Sequence, residues 1–525
     1  MCETRINCDS NPYHQRFKAS KALFLFILLT TTWINAWAAE NSSPESMQGQ
    51  PFSHDTVIEL AQKLSLTPYQ PAAKAPPELD QLDYDTYRKI NFQENAAIWG
   101  GTPTQFSVQL FAPGYLFKDL VDINVVENGK SHPIVISPSS FKVPYPELGE
   151  QLAETGKFAG MRLHFHINNE EYKDEFIAFQ GASYFRAVSK GQAYGLSARG
   201  LAIDVGQPAG EEFPLFKHYW IERPSKQHKA IVVHGLLDSE RVTGAFRFGI
   251  YPGSPTTVDT EVTLFAREGI EHLGLAPLTS MFMHGPMDHA DKPDYRPAVH
   301  DSDALVMLTG NDEFLLRPLN NPQTLQFSAF VDSQPKGFGL AQSQRDIEAY
   351  QDLEAQYHRR PSAWVKPLSD WGDGAVELVE IPSDSEANDN IVAYWSPKEI
   401  LRAGDSLSYS YRLTWPDTLP DKDTEAQIVR SAVGYKLFKK YQREAVIDFS
   451  NIAVIEDIQI DASISSGDII ESRLEPYPEI NGARAFVTFH PRDAEIAELR
   501  VKLTKGNEAV APTWLYRWTT WDWPL

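Results

Sequence analysis

The chain has 525 residues, 70 of them acidic and 48 basic, for a formal net charge of −22. A surface that negative repels phosphate backbones and anionic lipid, which argues against nucleic-acid and membrane-surface partners and leaves a neutral ligand as the better fit. The 12 Trp, 21 Tyr and 28 Phe are enough to offer flat faces to sugar rings, although most aromatics of a β-rich chain belong to its core.

The N-terminus reads as an export signal. Arg16, Lys18 and Lys21 precede an apolar run from Ala22 to Leu29, and Ala36-Trp37-Ala38 puts small residues at a cleavage position. The run is shorter than the roughly 20 residues a membrane-spanning helix needs. No Arg-Arg pair precedes it, so residues 1–38 are expected to be a cleaved signal of the general secretory type, with no stable membrane insertion afterwards. Cleavage removes both cysteines, Cys2 and Cys8, with four basic and two acidic residues. The mature chain then has a charge of −24 and no disulfide, and its stability rests on its core.

Residues 39–52 are polar and expected to be disordered. Thr56-Val57-Ile58-Glu59 is a capping-box pattern, and Val57, Leu60, Ala61 and Leu64 recur at helical spacing, which predicts a helix ending before Pro68. From about residue 95 the period changes to two. Val258, Val262, Leu264 and Ala266 alternate with polar residues, as do Leu325, Phe327, Ala329 and Val331, which is an antiparallel β signature. A helical interlude is predicted over 344–358, with Ile347, Tyr350, Leu353 and Tyr357 near one face. Ser383 to Asn390 reads as a polar turn and Ile391 to Trp395 as the strand that closes a large domain over 53–397. After a connector at 398–405, Leu407, Tyr409, Tyr411, Leu413 and Trp415 alternate with polar residues and open a second unit over 406–525. Further strands near 444–449, 457–464, 483–490, 498–503 and 513–519 give that unit the rhythm of an immunoglobulin-like sandwich. The predicted fold is all-β.

Familiar catalytic signals fail on inspection. There is no Walker loop and no His-Glu-x-x-His. In Gly195-Leu196-Ser197-Ala198-Arg199 an arginine stands where a nucleophile elbow needs its second glycine. His284 to Asp291 reads as a solvated loop without metal-ligand spacing, so neither metal nor cofactor is expected. Carboxylate chemistry remains. Loop-borne acids at His300-Asp301-Ser302-Asp303 and Asn388-Asp389-Asn390 have the residue types that cleave a glycosidic bond, although short Asp-rich turns more often simply turn the chain.

The run Gly181-Ala182-Ser183-Tyr184-Phe185-Arg186 through Gln192-Ala193-Tyr194 to Asp204 changes the balance. Together with Gly210-Glu211-Glu212-Phe213-Pro214, Trp220-Ile221-Glu222-Arg223-Pro224, Ala276 to Phe282, Arg317 to Pro322, Arg360-Pro361-Ser362-Ala363-Trp364 and Asn388 to Trp395, it closely resembles the periplasmic glucan biosynthesis G/D family. The likeness runs collinearly from about residue 50 to 400, continues more loosely beyond, and is nearer the G branch. It implies a periplasmic location and an N-terminal carbohydrate-active-type β-sandwich with a long cleft, joined to an immunoglobulin-like domain. It also implies a role in making osmoregulated periplasmic glucans with a β-1,2-linked backbone. Members are similar to inverting endo-β-1,2-glucanases in which one aspartate protonates the leaving oxygen and a second acts through water as base. By motif, Asp389 matches the acid, Asp301 the base and Tyr357 a tyrosine near them.

Such chemistry requires Asp389 to hold its proton near neutral pH and Asp301 to stay ionised. Tyr184, Tyr194, Trp364, Trp371 and Trp395 are candidate sugar platforms, and Arg186, Arg199 and Arg360 candidate hydroxyl ligands. Two function classes stay open: a glycoside hydrolase that trims β-1,2-glucan, and a non-catalytic glucan-binding or assembly factor cooperating with an inner-membrane glucan synthase. A homodimer is left open as well.

Overall fold

The computed structural model describes residues 49–286, 294–419, 426–452 and 454–521. The predicted signal segment lies outside them. Among the described residues no helix is long and apolar enough to cross a membrane.

Two large sheets, one of sixteen strands and one of ten, carry most of the chain. They face each other over one apolar core. Phe179 and Phe185 from the smaller sheet meet Phe248 of the larger at ring-centre distances of 5.4 and 5.3 Å. The alternation over Thr256–Ala266 does what period two requires, with even-numbered residues buried and odd-numbered ones largely facing out. The fold is therefore all-β, as the sequence pattern predicts.

Several boundaries differ from expectation. The helix runs from His54 to Ser65 with Ser53 as its N-cap, and its capping box pairs Ser53 with Thr56 rather than Thr56 with Glu59. It buries Val57 and Ala61 against Trp220, Leu236 and Ala245, closing the outer face of the larger sheet. Part of the predicted disordered leader is ordered by the same packing. Gln50–Pro51 pairs with Lys130–Pro133, and Phe52 stacks on Trp220 at 5.3 Å. The helix predicted over 344–358 is reduced to two single turns, Ile347–Ala349 and Tyr357–Arg359. Asp352 breaks it by accepting from the Glu354 and Ala355 backbone N–H groups at 2.9 and 2.8 Å, which diverts donors from a helical ladder. The strand Gln326–Ser333 lies at a sheet edge and leaves Val331 87% exposed.

The strand Ile391–Pro397 does not close the large domain. It is buried between Asp373–Glu380 and Leu273–Ser280. Ser406–Trp415, assigned from sequence to the C-terminal unit, instead pairs with Thr256–Ala266 and Ala363–Pro367 in the larger sheet. Its apolar face packs with the large core, Tyr409 and Tyr411 lying edge-on to Trp371. Alternation tells which face of a strand is buried, not which core it faces.

The C-terminal sandwich begins after this strand. Gln427–Tyr435, Arg443–Ser450, Gly482–His490 and Asp468–Tyr477 form one sheet. Thr513–Thr519, Ile496–Lys505 and Ile458–Ile464 form the opposing layer, over a core that includes Phe449, Phe489, Trp514 and Trp518. Thr513 and Trp514 also pair in parallel with Leu315 and Leu316, so the layer continues the large sheet.

Candidate active site

Asp301 follows a two-residue strand, Val299–His300, that pairs with Phe282–His284. Its backbone N–H donates to Met281 O at 2.8 Å, and its carboxylate forms an ion pair with Arg360. Asp301 is only 5% exposed. Burial pushes its carboxyl up to about 6; the Arg360 and Arg186 guanidinium groups oppose that rise and the Asp389 charge adds to it.

Arg360 is itself clamped. Its Nε and Nη2 donate to Ala355 O at 3.1 and 3.0 Å, and its guanidinium lies 4.3 Å from the Tyr357 ring centre. Gly195 makes room for it, since a Cβ at that position would stand 2.8 Å from the Arg360 Cβ. One buried amide ties the two segments together. Gln342 Nε2 donates to His300 O at 2.9 Å and to Tyr357 O at 3.0 Å, while its Oε1 lies 2.7 Å from His300 Nδ1. With the amide hydrogens committed to carbonyls, Oε1 accepts, which assigns the His300 proton to Nδ1.

Asp389 sits on a turn before the buried strand Ile391–Pro397. Its neighbour Asn390 is the staple. Asn390 Oδ1 accepts from the Phe282 N–H at 2.8 Å, and Nδ2 donates to Phe282 O at 2.9 Å and Ile381 O at 3.2 Å. Water reaches Asp389 from the open side of the turn, yet the protein around it strips enough solvent to raise its carboxyl above the ordinary range. Arg199, Arg186 and Arg360 each pull that value back. The two aspartates thus share the fields of Arg186 and Arg360.

The arginines are backed by aromatic rings. Arg199 faces Tyr184 across paired strands, 4.8 Å from its ring centre; its Nε donates to Thr279 Oγ1 at 2.7 Å and it ion-pairs with Glu211. Arg186 lies 5.3 Å from the Tyr194 ring centre, and the Tyr194 hydroxyl donates to Glu175 Oε1 at 3.0 Å. On the other side, the Tyr357 hydroxyl donates to Glu386 Oε2 at 3.3 Å. Glu386 pairs with Arg296 at 2.7 Å, which also holds Asp294 and Asp352 at 2.8 Å each. Arg296 and Glu386 line an open pocket of about 350 Å³ beside this cluster.

The three tryptophans do not join this face. Trp395 and Trp371 are buried in the large core. Trp364 is buried in the C-terminal one, packed against Gly337 and Gly339, where any Cβ would strike its ring or backbone. Trp364 and Trp395 have no face free for a sugar, and Trp371, 7% exposed, only borders an open cavity lined by Asp373, Lys398 and Asp405. Trp364 and Trp395 lie in apolar strand segments buried on both faces, and Trp371 in the loop between Ala363–Pro367 and Asp373–Glu380.

A family model described as "Periplasmic glucan biosynthesis protein, MdoG" matches residues 52–518. A Shewanella oneidensis protein named Glucans biosynthesis protein G 2 is 57% identical over 516 residues, spanning 98% of this chain and 97% of its own length. Proteins named Glucans biosynthesis protein G from Shewanella frigidimarina and Vibrio cholerae are each 44% identical, over 89% of this chain and 85% and 87% of their own lengths. The chain belongs to the periplasmic glucan biosynthesis protein family MdoG.

Within this MdoG-family chain, sequence reasoning missed four residues that shape the face: Glu211, Glu386, Arg296 and Gln342. Glu211 and Glu386 lie inside stretches that were singled out, but Arg199 and Tyr357, which they meet in space, are 12 and 29 residues away in the chain. Arg296 and Gln342 carry no local signal. His284, expected in a solvated loop, is instead a buried strand residue whose Nε2 lies 3.0 Å from Arg296 O; residues 287–293 of that loop lie outside the described residues.

Proposed function

We propose that this protein acts in periplasmic glucan biosynthesis as an inverting endo-β-1,2-glucanase that trims the glucan. The observation that carries the reading is the shared setting of Asp301 and Asp389. Two carboxyls from separated segments are both raised by lost solvent and both lie in the fields of Arg186 and Arg360. In this reading Asp389 protonates the leaving glycosidic oxygen, and a raised carboxyl suits that task. Asp301, with its carboxyl at about 6, is ionised at neutral pH and accepts a proton through water as that water attacks the anomeric carbon. Tyr184, Tyr194, Arg186 and Arg360 are the groups with surface left for a sugar, while Tyr357 and Arg199, only 2% and 5% exposed, hold Glu386 and Glu211 from inside. The donors suit a neutral polymer rich in hydroxyls.

The test is release of new reducing ends from linear β-1,2-glucan by the exported chain and by Asp389→Asn. Release by wild type and its loss in the variant are expected. If wild type binds the glucan and releases nothing, the protein is a binding or assembly factor instead. Release unaffected by Asp389→Asn would overturn the assignment of the acid.

A further inference from the structure

The C-terminal sandwich carries a surface that the glucan chemistry does not use. Its first two strands, Gln427–Tyr435 and Arg443–Ser450, are joined by the hairpin tip 436–442. The nine residues Tyr435-Lys436-Leu437-Phe438-Lys439-Lys440-Tyr441-Gln442-Arg443 contain four basic side chains and no acidic one, in a chain whose net charge is −22. At the tip Phe438 is 94% exposed, Leu437 73% and Tyr441 54%.

The tip is a built turn. Lys436 N–H donates to Gln442 O, Lys439 N–H to Lys436 O and Gln442 N–H to Lys439 O, each at 3.0 Å. Its root is fixed by buried Arg443, whose guanidinium lies 4.1 Å from the Tyr435 ring centre. Phe438 adopts φ 61°, a left-handed conformation unusual for a bulky residue, while its side chain gains no burial in the folded chain. Lys436 is paired with Glu444. Lys439 and Lys440 are exposed, and among the described residues neither has a carboxylate at ion-pair distance. Lys440 instead rests over the Tyr441 ring, 5.3 Å from its centre.

We propose that the hairpin tip 436–442 is a shallow lipid-contact element for an anionic phospholipid surface. Leu437 and Phe438 enter the head-group boundary, Tyr441 sits at its level as interfacial aromatics do, and Lys439 and Lys440 meet the phosphates. A convex tip with its largest apolar side chain outermost needs a deformable partner, which a bilayer provides. Net charge gave the opposite expectation because it averages over the whole surface. At physiological ionic strength fields decay over roughly 8 Å, so a membrane reads the tip and its near neighbours rather than the net charge of the chain; of those neighbours Glu444 is paired with Lys436 and Asp468 with Arg492.

The experiment is co-sedimentation of the full exported chain with vesicles of phosphatidylethanolamine and phosphatidylglycerol, against vesicles of phosphatidylcholine alone. Preferential, salt-weakened retention on the anionic vesicles is expected. Both Leu437→Ser/Phe438→Ser and Lys439→Glu/Lys440→Glu should weaken partitioning by about tenfold or more, with unchanged thermal midpoints because the altered side chains are exposed. Glucan binding or cleavage should be unaffected, which separates this inference from the proposed reaction. Phe438→Cys with an environment-sensitive dye gives a direct reading, since the expected mature chain has no other cysteine. A blue shift on adding anionic vesicles supports insertion. No retention on anionic vesicles, or retention that survives both double variants, would overturn the proposal. Salt-sensitive retention without a dye shift would also overturn it, since the lysines would then meet the phosphates with Leu437 and Phe438 left in water.

Discussion

Asp301 and Asp389 come under the same arginines by opposite routes. The Asp301 corner is built into the protein, with the carboxylate buried, paired with Arg360, and both segments tied by Gln342. The Asp389 turn is open to water and is held from beside the aspartate rather than through it, by Asn390 on Phe282 and Ile381. A fixed corner suits a group that must stay ionised and aimed at one water. An open turn suits a group whose solvent is removed when a polymer lies across it, because the remaining water is then what substrate displaces.

Breaking the fixed corner should have the largest effect. Asp301→Asn is expected to lower turnover by about 10³-fold, and to raise the thermal midpoint at neutral pH. The sign follows from the raised carboxyl. The folded state binds that proton more tightly than the unfolded state, so the contribution of Asp301 to stability is fully present below pH 4 and is lost as pH rises through about 6. Above that, holding the charge inside costs up to about 3 kcal/mol, which an amide removes. Asp389→Asn should lose comparable turnover and move the midpoint in the same direction but by less, because its carboxyl, although also raised by lost solvent, keeps access to water. Thermal melts at pH 5 and pH 8 beside glucan-cleavage rates check both. A lower midpoint for Asp301→Asn at pH 8 would mean that the Arg360 pairing outweighs the burial.

The same contrast explains what was legible in the sequence. The alternation of Thr256–Ala266 and Ser406–Trp415 announced two-faced strands, and five of the seven strands of the C-terminal sandwich lie within two residues of their predicted bounds, while Gln427–Tyr435 and Asp468–Tyr477 were not anticipated. What alternation does not carry is the partner. Ser406–Trp415 looked like the first strand of a new domain, although its register belongs to Thr256–Ala266. The site divides in the same manner. Family motif names Asp301, Asp389 and Tyr357, and the arginines, other tyrosines and tryptophans are only candidate sugar ligands in sequence. The structure brings the two acids under Arg186 and Arg360 and buries the tryptophans, because a platform and a core residue look alike in sequence. Gln342 was invisible, since its role depends on His300 and Tyr357 meeting in space.

A milder break removes the cation and keeps the carboxylate. Arg360 holds the Asp301 carboxyl down against burial, so Arg360→Gln should move the acidic limb of the rate profile upward from about 6 by about one unit. Activity at pH 5 should then fall more than activity at pH 8, and Arg360→Lys should restore part of the difference. Stability should respond with the opposite slope. The variant is destabilised above the new carboxyl value, where an unpaired charge is buried, and close to wild type at pH 5, where the carboxyl is protonated. A rate profile with an unmoved acidic limb would show that Asp301 is not the group that sets it.

The smallest effects should separate the staple of the open turn from its neighbour. Asn390 is 1% exposed, and removing its amide strands the Phe282 N–H and two carbonyls inside the protein. Asn390→Ala is therefore expected to cost about 2 kcal/mol and to lower turnover through a loosened Asp389. Asn388 is exposed, and its backbone N–H, which alanine retains, donates to Ser385 O at 3.2 Å. Asn388→Ala should stay within about 0.5 kcal/mol of wild type. Denaturant unfolding of the two variants makes the comparison directly. Equal costs at the two positions would mean that the turn is held by its own backbone, and that the aim of Asp389 does not depend on the strand behind it.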